Sequence, residues 1–225
     1  MRADVMELPI FPLNVVLFPG QTLPLHIFEP RYRIMIQRCI DQGQPFGVVL
    51  AQDEDEGVPH IIGTAARITQ VERLPDGRMN IVTIGMERFV LQNVHEGEDE
   101  YLIGDAVFYP YKEDTSQAYL RPEYIRRLLQ KYLSLLADVS GVETRRPSVS
   151  ELDAQSATPT AIAVLTAIAL QVPLEQKQEL LAIESVRELL AKEAELLKSE
   201  VLALTIVASS IRPSGDDESQ VFSKN

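Results

Sequence analysis

The chain has 225 residues, of which 45% are hydrophobic and 24% charged, the balance of a globular protein long enough for one large domain or two small ones. Thirty-three acidic against 21 basic residues leave a net charge of −12, which repels nucleic acid and anionic membrane surfaces, and a single cysteine, Cys39, excludes an internal disulfide and a cysteine-rich zinc site. The N-terminus lacks a basic region followed by an unbroken apolar core, and the apolar run Ala161–Leu170 is far short of the roughly 20 residues that cross a bilayer, so the expected location is the cytoplasm.

From Glu7 to Tyr32, apolar runs are broken by Pro9, Pro12, Pro19, Pro24 and Pro30. Each proline fixes φ and removes a backbone donor, so the segment is expected to form short edge strands and turns, with Pro19-Gly20 as the turn. Pro30 sits where a helix can begin, and helical spacing follows to about Asp41. Glu29 at that helix start is expected to favour the N-terminal dipole or to pair with Arg33. Cys39, among apolar residues of the helix, is expected to be a buried structural thiol. Pro45–Ala51 reads as a buried strand and is followed by an acidic loop, Asp53–Gly57. The β-branched stretch Ile61–Arg73, the turn residues Pro75-Asp76-Gly77 and the run Met79–Gln92 make a hairpin, and Tyr101–Tyr109 is a further strand. Six or so strands with one inserted helix in about 110 residues bury their apolar face best by curling into a small closed or half-open barrel.

From Pro122 onward the periodic segments are helical, and a block of strands followed by a block of helices indicates two adjoining domains or an α+β chain. Pro122 to Ser140 carries an apolar stripe from Ile125 to Leu136, with Arg126, Arg127 and Lys131 on its other face. Gly141 to Ser156 is polar and without period. Thr158-Pro159 caps a helix that is apolar on all sides and therefore expected at the centre of a bundle. A further helix is expected from Pro173 to Ala182. The capping box Ser185–Glu188 then opens a last helix with Val186, Leu190, Leu197, Val201 and Leu204 along one seam to Ile211. Residues 1–112 are thus expected as a barrel subdomain, 118–211 as a helical bundle subdomain and 212–225 as a disordered tail.

No lysine follows a glycine, so no phosphate-cradling loop is present, and neither a G-x-S-x-G elbow nor an H-E-x-x-H pair occurs. His26, His60 and His95 are isolated in different elements, and Asp53, Asp55 and His60 lack the spacing of a calcium loop. Lys198 and Ser199 are adjacent on a helix and point away from each other, so they make no dyad. No catalytic residue, metal ligand or cofactor is expected. Arg31, Arg33 and Arg38 lie close together, as do Arg145 and Arg146, without the interleaved aromatics of a nucleic-acid stripe. What the opening does supply is apolar surface: Phe11, Val15, Val16, Leu17, Phe18, Leu25, Ile27 and Phe28 exceed what two short strands can hide. Most of these residues are expected to fill the barrel, and Tyr32 to pack with its hydroxyl at the rim; Phe18 at a loop tip before Pro19, with Tyr32 at the helix start, marks the expected peptide-binding patch, in a groove between barrel and bundle.

The order strand, turn, strand, helix from Glu7 to Tyr32 resembles the start of the N-terminal substrate-recognition domain of the ATP-dependent Lon proteases. The words Phe46-Gly-Val-Val49, Gly63-Thr-Ala-Ala66, Asp76-Gly-Arg78, Gly85-Met-Glu-Arg-Phe89 and Leu174-Glu-Gln-Lys-Gln-Glu-Leu-Leu181 extend the likeness over most of the chain. The resemblance implies a PUA-like β-barrel with one inserted helix followed by a helical bundle. It also implies binding of unfolded or tagged protein segments, with the family's ATPase and Ser-Lys peptidase lying downstream of this region. Without those parts the chain is expected to be a non-catalytic adaptor or competitor for unfolded clients that works beside a separate protease, a monomer in preference to a dimer, binding neither nucleic acid nor membrane. An RNA-binding PUA-like protein and an unrecognised hydrolase are the alternatives.

Overall fold

A computed structural model describes residues 5–51, 60–113, 122–140 and 158–211. The acidic loop, the polar stretch after Ser140, Arg145-Arg146 and the tail lie outside the described residues.

The elements in chain order are β1 (Val5–Leu13), β2 (Thr22–Ile27), α1 (Pro30–Gln42), β3 (Phe46–Leu50), β4 (Ile62–Arg73), β5 (Met79–Glu96), β6 (Leu102–Phe108), α2 (Pro122–Ser140), α3 (Pro159–Ala169), α4 (Leu174–Ala182) and α5 (Val186–Ile211). The fold is α+β, six strands and then a run of helices, with α1 inserted among the strands. Strand order is β2-β5-β4-β3-β1-β6, and β5 also pairs with β6, so β1, β3, β4, β5 and β6 close a ring. The 18-residue β5 makes closure possible by changing partner: its first part pairs with β2 from Met79 to Ile84, and its second part pairs with β6 from Phe89 to Glu96. Register shifts between Thr64 and Ala66 and between Leu91 and Asn93 bend these strands.

The prolines of the opening do not make β1 an edge strand, as its sequence predicts; β1 has β6 on one side and β3, in parallel, on the other. The two pairings overlap at Ile10 alone. Pro9 lies where only β6 is paired, facing Ile103, and Pro12 where only β3 is paired, facing Val49. Each proline therefore has one side on which its missing N–H costs no ladder bond. Pro24 lies in β2, which pairs with β5 alone.

Inside the ring, Leu8, Ile10, Val49, Ala65, Phe89, Leu91 and Ala106 form one cluster. A second lies under α1, where Tyr32, Met35, Ile36 and Cys39 pack on Phe11, Ile27, Phe46, Val48, Met79 and Ile81. Burial pushes the Cys39 thiol up to about 11, which keeps it unionised. The helices form the third cluster, and it includes Val16, Phe18 and Leu50 from the strand region. Thr158 caps α3 by accepting from the Ala161 amide at 3.2 Å, and Ser185 caps α5 by accepting from the Glu188 amide at 3.3 Å. The α3 helix is not enclosed on every side: Ile162, Ala163 and Ala167 are buried, while Leu165 remains 41% exposed.

The two groups of elements are joined by an arginine. Arg88 of β5 is 2% exposed, and its Nη1 donates to Leu181 O at 2.5 Å and Ile183 O at 2.7 Å, the carbonyls at the end of α4. Its guanidinium lies 3.4 Å from the Tyr111 ring centroid and 4.8 Å from that of Tyr109, whose hydroxyl donates to Ala182 O at 3.3 Å. A cation at a helix C-terminus meets the negative end of the helix dipole and satisfies carbonyls that have no partner in the helix.

Candidate functional site

The structure separates the residues expected to form a binding patch. Phe18 is 1% exposed and belongs to the helical cluster, with Lys177 Nζ 5.6 Å from its ring centroid. Its loop is not an exposed tip. Gln21 N donates to Phe18 O at 3.1 Å across Pro19-Gly20, and Gly20 N donates to Gly85 O at 2.8 Å, which docks the turn on β5. A Cβ at Gly85 would stand 2.2 Å from Phe18 O, so the close approach of turn to strand needs glycine there. The turn faces the bundle, and Phe18 fills the bundle core. Pro19 is half-buried beside it.

Tyr32 lies elsewhere, in a cleft of about 540 Å³ between the ends of β1 and β2, the first turn of α1 and the β5–β6 connection. The floor is apolar: Phe11 and Leu13 from β1, Leu25 from β2, Tyr32 from α1 and Leu102 from β6. Phe11 and Tyr32 stack with centroids 4.1 Å apart and planes at 27°, and Phe46 meets Phe11 at 6.1 Å, so a continuous aromatic row runs from the cleft into the core. Burial raises the Tyr32 phenol above its ordinary range, which keeps it a neutral donor at the cleft wall.

The rim is polar and carries one exposed ring. Phe28 is 59% exposed beside His26, with ring centroids 6.1 Å apart. Arg31 stands 4.6 Å over the Tyr32 ring and pairs with Glu29 at 3.0 Å. The partner expected for Glu29 was Arg33; two residues along the first turn, Arg31 can both reach the carboxylate and lie on the ring. Glu96 and Glu100 complete the opposite rim. His26 is committed to its neighbours: Asn80 Nδ2 donates to Glu72 at 2.8 Å, which turns Asn80 Oδ1 toward His26 Nδ1 at 2.7 Å. His26 Nδ1 therefore carries the proton, and Nε2 faces Arg78 Nη1 at 3.4 Å. An apolar floor, a neutral phenol and a rim of mixed charge can take an apolar group flanked by polar ones.

Tyr32, singled out in the sequence, lines this cleft, and Phe28, named in the sequence only within the apolar excess of the opening, is the exposed ring at its rim. The signal was the apolar excess in the opening, of which Phe28 was one member. Among the described residues no group of three or more His, Cys, Asp or Glu side chains could hold a metal ion, and no helix is long and apolar enough to cross a membrane.

A small closed barrel with one helix among its strands, docked on a helical bundle, defines the class. The model of the family described as the ATP-dependent protease La (LON) substrate-binding domain matches residues 7–199, and the chain belongs to that family. Lon protease 2 of Myxococcus xanthus is 29% identical over 216 residues, 88% of this chain and 25% of that protein. The Lon protease of Anaeromyxobacter dehalogenans is 29% identical over 205 residues, 85% of this chain and 24% of that one. The chain thus spans about a quarter of the length of these curated relatives. A crystal structure of a Lon N-terminal domain protein from Xanthomonas campestris superposes with a TM-score of 0.62 at 28% identity, covering 83% of this chain and 96% of that one. The N-terminal domain of Mycobacterium avium complex Lon protease shares the fold, with a TM-score of 0.61 at 20% identity over 86% of this chain and 98% of that one.

Proposed function

We propose that this protein is a non-catalytic module that binds unfolded polypeptide segments in the Tyr32 cleft, as a monomer in the cytoplasm, and holds clients for or from a separate protease. The observation that carries this reading is the exposed Phe28 ring at the mouth of an apolar-floored cleft, in a chain of a substrate-binding family. In this reading residues 1–112 supply the binding surface, and the bundle of residues 118–211 buttresses the barrel through Arg88 and Phe18. Tyr32 remains a contact residue, whereas Phe18 and Pro19 support the fold from outside the cleft.

The test is anisotropy of a labelled, permanently unfolded polypeptide and of its folded parent. Selective micromolar binding of the unfolded form is expected, weakened at least ~10-fold, about 1.4 kcal/mol, by Phe28→Ser. Phe28 is exposed, so that substitution leaves the core intact. Unchanged affinity in Phe28→Ser overturns the cleft assignment. No binding up to about 100 μM, weaker than roughly −5.5 kcal/mol, overturns the polypeptide-binding role itself.

A further inference from the structure

On the other side of α1 lies a second cleft, of about 620 Å³, whose charged lining is all basic. Pro30, Arg33, Ile34, Gln37 and Arg38 recur at helical spacing and put one face of α1 along it, and the end of the β4–β5 hairpin supplies Arg73 and Arg78. Four arginines line this cleft and no acidic residue does, in a chain whose net charge is −12. The surroundings neutralise it only in part. Asp76 holds Arg78 at 2.6 Å, and Asp99 pairs with Arg38. Arg73 Nη2 donates to Gln37 at 3.2 Å, an uncharged partner. Arg33 lies against the hairpin turn, so close to Gly77 that a Cβ there would stand 2.1 Å from its Nη2, and Gly77 has φ of +81°. Glycine at 77 thus serves the turn and seats the guanidinium together. Among the described residues neither Arg33 nor Arg73 has a carboxylate partner.

We infer that this arginine-lined cleft binds acidic, Asp- or Glu-containing segments of polypeptide clients, and so gives the module a preference among unfolded chains. The inference rests on the polypeptide-binding reading above and adds its substrate class. Guanidinium forks match carboxylates in a two-point geometry, and Pro30, Ile34 and Met79 offer apolar wall to the methylenes of a glutamate side chain. Nucleic acid fits less well: no aromatic residue lines the cleft to stack a base, and the acidic remainder of the chain repels a long polyanion. The cleft adjoins the Tyr32 cleft across the first turn of α1, where Pro30, Arg33 and Ile34 face one side and Glu29, Arg31 and Tyr32 the other. One extended client can therefore place an apolar residue in one cleft and an acidic one in the other.

The test compares anisotropy titrations of a labelled peptide alternating Glu and Ser, its counterpart alternating Gln and Ser, and a labelled oligo(U) of equal formal charge, at low and moderate salt, with inorganic phosphate as competitor. The Glu peptide is expected to bind at least ~10-fold more tightly than the Gln peptide, with the preference shrinking as salt screens it. Arg33→Gln with Arg73→Gln is expected to abolish the preference. Arg127→Gln with Lys131→Gln on α2, the same change in net charge at a distance, is expected to leave it. Equal affinity for the two peptides, equal loss in the α2 control, tighter binding of oligo(U), or displacement by phosphate as effective as by free Glu peptide overturns the inference. Because Arg33 adjoins the hairpin turn, Arg73→Glu is measured as well; its exposed side chain leaves the fold in place, and an undiminished preference in that variant also overturns the inference. The labelled, permanently unfolded polypeptide and the Phe28→Ser variant serve in parallel. If they behave as proposed while the acidic preference fails, only the specificity is lost; if they fail as well, the polypeptide-binding reading falls with it.

Discussion

The barrel and the bundle bury polar groups in different ways. In the barrel, Thr64 donates its hydroxyl to Leu17 O at 2.6 Å and Thr83 donates to Leu23 O at 3.0 Å, so each buried hydroxyl has an acceptor. On the bundle side, Arg88 Nε and Nη2, Gln178 Oε1, the Tyr111 hydroxyl and both carboxylate oxygens of Glu193 are buried without a hydrogen-bond partner. Burial pushes the Glu193 carboxyl up to about 9, against the pull of Lys177, and it pushes the Lys177 ammonium down to about 8. At about 8 Lys177 is still a cation at neutral pH, where it donates to Ala167 O and Ile168 O at the end of α3, while Glu193, at about 9, holds a proton. The contrast teaches that the barrel buries hydroxyls that do not ionise near neutral pH, whereas the bundle side buries a carboxyl and an ammonium that do. Both clefts stand on the barrel half.

The sharpest way to break this division is to cut the link between its halves. Arg88→Met keeps much of the side-chain volume and leaves Leu181 O and Ile183 O without their donor. Each buried carbonyl that loses its partner costs about 1–3 kcal/mol, so a loss of about 3 kcal/mol is expected by denaturant unfolding. Hydrogen exchange is expected to show the loss concentrated in α4 and α5, with the amides of β3 and β4 keeping their protection. Uniform loss across both regions would erase the distinction between them.

Next in size is the titration of Glu193. A carboxyl whose folded pKa is raised from 4.5 to about 9 contributes stability that is complete below the lower value and is lost as pH rises toward the upper one. Inside that window the slope is about 1.4 kcal/mol per pH unit. Lys177 changes the folded-state balance only from about 8 upward, where its lowered pKa makes stability rise with pH. Between pH 6 and pH 8 the wild type is therefore expected to lose about 2–3 kcal/mol relative to Glu193→Gln, which cannot ionise. Parallel pH profiles of the two proteins would remove Glu193 as the source of the difference.

What was legible in the sequence follows the same division. Proline and glycine punctuation located the turns and helix starts of both halves, because those residues act on the local backbone whatever surrounds them. Contacts across the two halves were not local. Phe18 read as an exposed tip because nothing near it in sequence covers it; the helices that do come more than a hundred residues later. Arg88 breaks the alternation of β5: Met86 and Glu87 are exposed, and then Arg88 and Phe89 are both buried, one toward the bundle and one toward the barrel. A strand covered on both faces loses its period of two, and a single charged residue inside one cannot announce that. Glu193 did leave a trace. The seam of the last helix steps from Leu190 to Leu197, and Glu193 occupies the place between them that an apolar residue would be expected to fill. Of the clefts, the sequence marked Tyr32 and the neighbouring arginines of α1, yet the hairpin that brings Arg73 and Arg78 opposite Arg33 is a matter of topology.

The smallest expected effect tests that contrast directly. Thr64→Val keeps the shape of a fully buried side chain and removes the hydroxyl that Leu17 O accepts, a neutral pair whose net contribution is about 1 kcal/mol. Neither partner ionises, so the difference between Thr64→Val and wild type is expected to be the same at pH 6 and pH 8, in the window where Glu193 moves the bundle. A difference that changes with pH would mean that protonation at Glu193 reaches Leu17. Leu17 stands beside Phe18 in sequence, and Phe18 lies in the helical cluster near Lys177, so the turn is the route by which such coupling would travel. Constancy of the difference would mean that the docked turn transmits the packing of the bundle to the barrel but not its charge.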